Sequence, residues 1–193
     1  MTYLEIKYFK ISLLKWRIKM KVYLVRHGEV PHNVMKKYSS VDEDLTLNGI
    51  KEAEALKESI KDIEFDVIFS SPYQRAKHTA KIITNNKDIV VDKLLKERDC
   101  GSLNEQPLES TDREEYWNYY TTIQYGTSEN IKEFFSRIFT FLDILKEKNY
   151  KNVLIVAHSG VSKAFNAYFE GIKNGKFLNR GLKNCEMKIY DLK

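Results

Sequence analysis

Two short runs, residues 22–25 (VYLV) and 153–157 (VLIVA), are apolar without interruption, and each ends at once on a basic residue or a histidine. A strand with one wet face alternates apolar and polar residues. An unbroken β-branched run instead marks a strand buried on both faces, and so a parallel sheet covered by helices. Three weaker β-rich runs accompany them at 65–69 (FDVIF), 89–91 (IVV) and 187–190 (MKIY). Helical stretches separate the runs. One covers 48–61 after Thr46 as N-cap. A second covers 72–84, with Ser71 expected as N-cap and Pro72 at the first helical position. In a third, 131–148, Ile131, Phe134, Phe135, Ile138, Phe139, Leu142 and Leu145 recur at helical spacing and predict a core-facing stripe. A shorter helix is expected over 161–169. Alternating strands and helices predict an α/β fold, a three-layer α/β/α sandwich with a mostly parallel central sheet.

The polar clusters follow the strands. Arg26-His27-Gly28-Glu29 follows VYLV, Ser70-Ser71-Pro72-Tyr73-Gln74-Arg75 follows FDVIF, and His158-Ser159-Gly160 follows VLIVA. Glu97-Arg98 comes shortly after IVV. Open parallel sheets bind ligands beyond the carboxyl ends of their strands, so these groups converge on one edge. Guanidinium forks suit phosphate, and Arg75 is expected in a helical first turn, where free N–H groups favour an anion. A neutral imidazole is a nucleophile toward phosphorus, and a second, protonated imidazole stabilises the transferring oxygens. A nearby carboxyl group can move the proton of the leaving alkoxide and of the attacking water. Rival chemistries lack their residues. There is no G-x-S-x-G around Ser159, no H-E-x-x-H or clustered metal ligands, and neither a GxxxxGK[ST] nor a GxGxxG loop. His32 and His78 are expected to be peripheral.

The net charge of +5 raises the question of nucleic acid, and its location answers it. Residues 1–20 hold Lys7, Lys10, Lys15, Arg17 and Lys19 against Glu5 alone, so all but one unit of the surplus lies there. The body is close to neutral and lacks the basic face that a phosphate-backbone binder needs. Residues 1–19 read as a leader without the apolar core or cleavage site of a signal peptide. Three readings of it stay open: an extra edge element, a basic amphipathic helix that meets a membrane surface, or non-native sequence upstream of a start at Met20. Residues 20–193 are expected to form a single domain. No run reaches the ~18 apolar residues of a membrane span. Cys100 and Cys185 have neither disulfide-scaffold nor metal spacing, which fits a cytoplasmic protein. Expected partners are a small phosphorylated metabolite, with no nucleic acid and no membrane, in a monomer or homodimer.

Six ordered segments resemble the histidine phosphatase superfamily, which includes the phosphoglycerate mutases. Arg26-His27-Gly28-Glu29 with Asn33 resembles its RHGE(T/S)xxN signature. Leu45-Thr46 with Gly49 and Ala53 resembles LTxxGxxQA, and Ser70-Ser71 with Arg75-Ala76 and Thr79-Ala80 resembles its S(S)xxxRAxxTA. Glu97 to Gly101, Gly126-Thr127-Ser128 with Arg137, and Ala157 to Gly160 match later family segments in order. The resemblance implies His27 as the phosphorylated nucleophile. It implies Arg26, Arg75 and His158 as the phosphoryl clamp, and Glu97 as proton donor and acceptor. Asn33, Gly28 and Ser159 would lie around the bound phosphate, with no metal and no organic cofactor. Departures are Val30 in place of the common Thr or Ser, Cys100 in place of an aromatic, and a short aromatic stretch at 105–125 with the single Arg113. The mutases carry a larger insert with paired arginines there, so hydrolysis is expected, with a mutase or an inactive phosphate-binding relative as the alternatives. Residues 105–125 are expected to form a substrate lid in which Tyr119 and Tyr120 set substrate preference.

Overall fold

The computed structural model describes residues 19–39 and 43–193; residues 1–18 of the leader lie outside them. Five strands form one sheet: β1 Met20–Arg26, β2 Val67–Ser70, β3 Val90–Val91, β4 Asn152–Ala157 and β5 Met187–Leu192. Their order is β3-β2-β4-β1-β5. All pairings are parallel except β5 on β1, so the sheet is mostly parallel. The principal helices are α1 Pro31–Met35, α2 Leu47–Ile60, α3 Gln74–Ile83, α4 Arg113–Tyr116, α5 Ile131–Lys146 and α6 Ser159–Glu170.

The unbroken runs are buried on both faces, as their composition requires. Val22 and Leu24 of β1, with Val153, Ile155 and Ala157 of β4, join one core with α5 and α6. Tyr23 and Val25, with Leu154 and Val156, face the other way onto α2 and α3. Period-two alternation along each strand thus feeds two helical layers, giving the α/β/α sandwich. The α5 stripe is buried, with one correction. Phe141 is in the core and Phe139 only partly so, because Phe141 reaches across to Phe69 of β2, ring centroids 5.4 Å apart.

Capping places the site loops. Thr46 Oγ1 caps α2 by accepting from Gly49 N at 3.0 Å, and donates to Glu29 Oε1 at 2.8 Å. A Cβ on Gly28 would overlap the Gly49 carbonyl, so these two glycines let the β1 loop lie directly on α2. The α3 start departs from expectation. Its N-cap is Tyr73, not Ser71, and Pro72 lies before the helix. The Ser71 hydroxyl is engaged by His158 instead, at 2.7 Å. Among the described residues no helix is long and apolar enough to cross a membrane.

Candidate active site

Arg26 and Ala157 are the last registered pair of β1 and β4, so the next residue of each strand, His27 and His158, emerges side by side. Their rings meet edge to face with centroids 5.2 Å apart, and both are buried. Ser71, beyond the end of β2, donates its N–H to Val156 O and holds His158 Nε2 through its hydroxyl. Three adjacent strand ends therefore build one floor. Arg75, in the first turn of α3, is 1% exposed and lies over the Tyr73 ring at 4.8 Å.

The tautomer of His27 follows from its partner. Its Nδ1 is 2.7 Å from Gly28 O, and a carbonyl only accepts, so Nδ1 bears the proton and Nε2 keeps its lone pair. Burial holds the His27 imidazole well below its ordinary range, and the Arg75 and Arg26 charges add to this. His158 is lowered in the same way, first by burial and then by Arg75. Both shifts favour the neutral ring, which for His158 departs from the protonated second imidazole expected from the sequence. Two buried nitrogens, Arg26 Nε and His158 Nδ1, have no partner among the described residues. Buried polar atoms are normally satisfied, and Arg26 Nε–H can only donate, so an orphaned guanidinium donor at the end of a parallel sheet suits an anion.

A cavity of about 440 Å³ opens beside this floor, lined among others by Arg26, Asn33, Arg75, Glu97 and Ser159; the two buried histidines lie behind this lining rather than in it. Both Glu97 carboxylate oxygens accept backbone N–H groups, Oε2 from Gly160 and Oε1 from Arg98, each at 2.8 Å. Arg137 fixes this loop by donating to the carbonyls of Leu94, Lys96 and Glu97 while forming an ion pair with Glu129. A Cβ on Gly160 would overlap Glu97 Oε1 and reach within 2.8 Å of the Trp117 ring, so only glycine lets α6 begin against this carboxylate.

Gly28 departs from its expected place at the phosphate. Its N–H is already given to Thr79 Oγ1 at 3.1 Å and its carbonyl to His27, so it orients the histidine. The expected lid is also redrawn. Leu108, Arg113, Tyr116 and Trp117 from the 105–125 stretch do wall the cavity. Tyr119 and Tyr120 do not: Tyr119 packs on Phe135, 5.5 Å between centroids, and Tyr120 is exposed beside Gly175. Cys100 lines the cavity as a thiol pushed up to about 12, by burial first and then by Glu97. His32 lies outside the cavity lining, between Glu43 Oε2 at 2.5 Å and Glu105 Oε2 at 2.7 Å. Burial opposes its charge, but these two carboxylates raise its pKa overall. His78 pairs with Asp44 at 2.7 Å, away from the floor.

One contributor left no signal in the motifs. The segment before β5 passes beneath the site because β5 runs antiparallel to β1. Leu182 O accepts from Arg26 Nη1 at 3.1 Å, and Asn184 Nδ2 donates to His27 O at 3.1 Å and Asn33 Oδ1 at 3.0 Å. Asn33 Oδ1 also accepts from Val30 N at 3.3 Å. With its oxygen engaged by two donors, Asn33 has its Nδ2 group left for the cavity it lines. Buried Lys163 of α6 holds the same segment through Phe177 O, at 2.9 Å, and Leu178 O. Burial pushes this lysine down to about 8, against the pull of Glu97. Among the described residues no group of three His, Cys, Asp or Glu side chains is placed to hold a metal ion. The convergent side chains are mainly donors and cations, which select an anion.

Two buried histidines and two arginines thus meet at one end of a mostly parallel sheet, and the chain belongs to the histidine phosphatase superfamily, branch 1, whose profile it matches over residues 22–193. Members similar to it are phosphatases and phosphoglycerate mutase-like proteins. It is 30% identical over 152 residues to the adenosylcobalamin/alpha-ribazole phosphatase of Escherichia coli, covering 74% of this chain and 75% of that one. It is 31% identical over 173 residues to the uncharacterised phosphatase PhoE of Bacillus subtilis, covering 86% and 87%. The fold superimposes on the phosphoserine phosphatase of Entamoeba histolytica, solved with phosphoserine, at a TM-score of 0.77 and 25% identity over 88% and 89% of the two chains.

Proposed function

We propose that the chain is a phosphatase that hydrolyses small phosphomonoesters through a covalent phosphohistidine at His27. The observation that carries this reading is the His27 Nδ1–Gly28 O hydrogen bond, which leaves an unprotonated Nε2 near the buried Arg75 and half-buried Arg26 guanidinium groups. In the first step Nε2 attacks phosphorus, the P–O ester bond breaks, and Glu97 gives a proton to the departing alkoxide. In the second step Glu97 takes a proton from water, the hydroxide attacks phosphorus, and the P–N bond breaks to release inorganic phosphate and neutral His27. Arg26, Arg75, His158 and the Asn33 amide hold the phosphoryl oxygens throughout, and the two orphaned nitrogens gain partners.

The phosphoryl charge is met by side chains, so hydrolysis of an aryl phosphate should proceed with EDTA present. His27→Ala should abolish it, and acid-labile radioactivity from a labelled substrate should appear in wild type only. Turnover by His27→Ala comparable to wild type would overturn the phosphohistidine mechanism. The relatives named for phosphoserine and alpha-ribazole esters bracket the size of substrate that the cavity suits, a single phosphorylated metabolite.

A further inference from the structure

His27 and His158 build the floor and His78 faces Asp44, which leaves His32, the fourth histidine, without a part in the chemistry. Both of its ring nitrogens nonetheless meet a carboxylate. Nδ1 lies 2.5 Å from Glu43 Oε2, and Nε2 lies 2.7 Å from Glu105 Oε2. A neutral imidazole has one N–H, so in that form one carboxylate would face a lone pair; only the imidazolium donates to both. The His32 and Glu43 side chains are each 9% exposed, and Glu105, at 55%, is the open end of the clip. Glu43 is fixed further by the His32 N–H, at 3.1 Å from Oε2, and by the Ser39 hydroxyl on Oε1.

The clip fastens one wall of the cavity. His32 precedes Asn33 on α1, and residues 36–38 pair with 105–108 through Glu105 N to Tyr38 O at 3.2 Å, Tyr38 N to Gln106 O at 2.9 Å and Leu108 N to Lys36 O at 2.8 Å. Asn33, Tyr38, Asn104 and Leu108 of these segments line the cavity. Glu105 sits at φ +66°, a bend that costs a non-glycine residue energy and that its bond to His32 helps offset. Glu43 also reaches the phosphoryl clamp. Burial lowers the Arg75 guanidinium from its ordinary range, and Glu43 is foremost among the charges that resist this. While His32 is protonated, the Glu43 charge is shared between it and Arg75. Once His32 is neutral, that charge bears on Arg75 alone, and less of the guanidinium charge is left for an anion.

We propose that His32 is a positioning residue: as an imidazolium between Glu43 and Glu105 it fixes the Asn33 wall and leaves the Arg75 charge to the phosphoryl group, so that its deprotonation weakens anion binding. This role rests on the phosphatase reading above for the anion it serves. Among the described residues Glu43 and Glu105 are the charged groups facing His32 from the segments packed against it, and α1 carries none besides His32. Burial opposes the His32 charge, but the two carboxylates raise its pKa above the ordinary 6.5. The clip is therefore complete below 6.5 and lost as pH rises through the raised value. By linkage, a bound anion should in turn hold the proton on His32 more tightly.

Sulfate is the probe, because it has the shape of a phosphoryl group, keeps its double charge throughout and does not react. Calorimetry gives its Kd across the pH range, and ring 15N spectra follow His32 in the same samples. His32 should titrate above 6.5 with both nitrogens protonated beforehand, and higher still with sulfate saturating. Sulfate Kd should rise roughly three- to tenfold through that titration, which equals a coupling of about half to one pKa unit. Glu105→Gln, at the exposed end, should move the His32 titration and the rise in Kd to lower pH together, and His32→Gln should lose this part of the profile. Lys163, at about 8, also titrates beside the cavity, but its part stays in both variants. A His32 titration at or below 6.5 overturns the clip. A titration that moves in Glu105→Gln while the Kd profile stays overturns the positioning role and leaves a merely structural ion pair. Either result with His27-dependent aryl phosphate turnover intact overturns this role alone. The expected sulfate profile in a wild type without turnover overturns the phosphatase reading alone, and no sulfate binding at any pH overturns both.

Discussion

Asn184→Asp exchanges one NH2 group for an oxygen and changes almost no volume, yet it should disable the floor of the site. Asn184 Nδ2 gives two hydrogen bonds, to His27 O at 3.1 Å and Asn33 Oδ1 at 3.0 Å. Each is worth about 1 kcal/mol net, and facing two acceptors with a third adds a desolvation and repulsion cost of about 1 kcal/mol for this half-buried residue. Asn33 cannot escape by turning its amide, because its Nδ2 would then face the Val30 N–H that its Oδ1 now accepts. The expected destabilisation is therefore about 2–4 kcal/mol. For a chain of this size that lowers Tm by roughly 5–15 °C. A carboxylate next to the phosphoryl clamp also repels the substrate, so kcat/KM on an aryl phosphate should fall about 100-fold. With Asn184→Ala, which removes the donors without adding charge, it should fall about 10-fold. Thermal unfolding by circular dichroism and steady-state kinetics read the two effects separately. An Asn184→Asp variant within about threefold of wild type in kcat/KM, with Tm shifted by less than about 2 °C, would refute the reasoning.

Gly160→Ala places a methyl on Glu97 Oε1 and against Trp117, so kcat should drop about 100-fold with the fold retained; unchanged kcat with intact circular dichroism would show that Glu97 does not act from this position. His27 is held below its ordinary value of 6.5, first by burial and then by Arg75 and Arg26, so its nucleophilic neutral form persists as pH falls through that value. The acid limb of kcat/KM should accordingly lie below pH 6.5 and move upward in Arg75→Gln; a wild-type limb at or above 6.5 contradicts the electrostatics. Tyr119→Ala removes a ring packed on Phe135 and should cost about 2–3 kcal/mol in urea unfolding, whereas exposed Tyr120→Ala should be within about 0.5 kcal/mol of wild type. Neither should alter the ranking of a substrate panel, and Trp117→Ala should; the reverse pattern would restore Tyr119 and Tyr120 to the cavity wall.

Local sequence was enough to specify the layers and the floor of the site. Continuous apolar runs can only be buried on both faces, and the residue after such a strand is carried to the sheet edge by covalent connection, so His27, Arg26 and His158 were legible as neighbours. Thr46 and Arg75 were legible for the same local reason, through helix starts. Whatever depends on contacts between distant segments had to wait for the folded chain. Asn184 lies 151 residues from Asn33, and Lys163 meets Phe177 and Leu178 only because antiparallel β5 draws the preceding segment under the site. No spacing rule connects such pairs. Ser71 illustrates the competition: local chemistry favoured it as a helix cap, but the His158 ring, 87 residues away, claims its hydroxyl. Gly181, with an ordinary extended backbone, illustrates the other limit: a glycine needed because Ser159 and Lys163 pack against it reads in a sequence like one needed for a turn, and only the side chains around it tell the two apart.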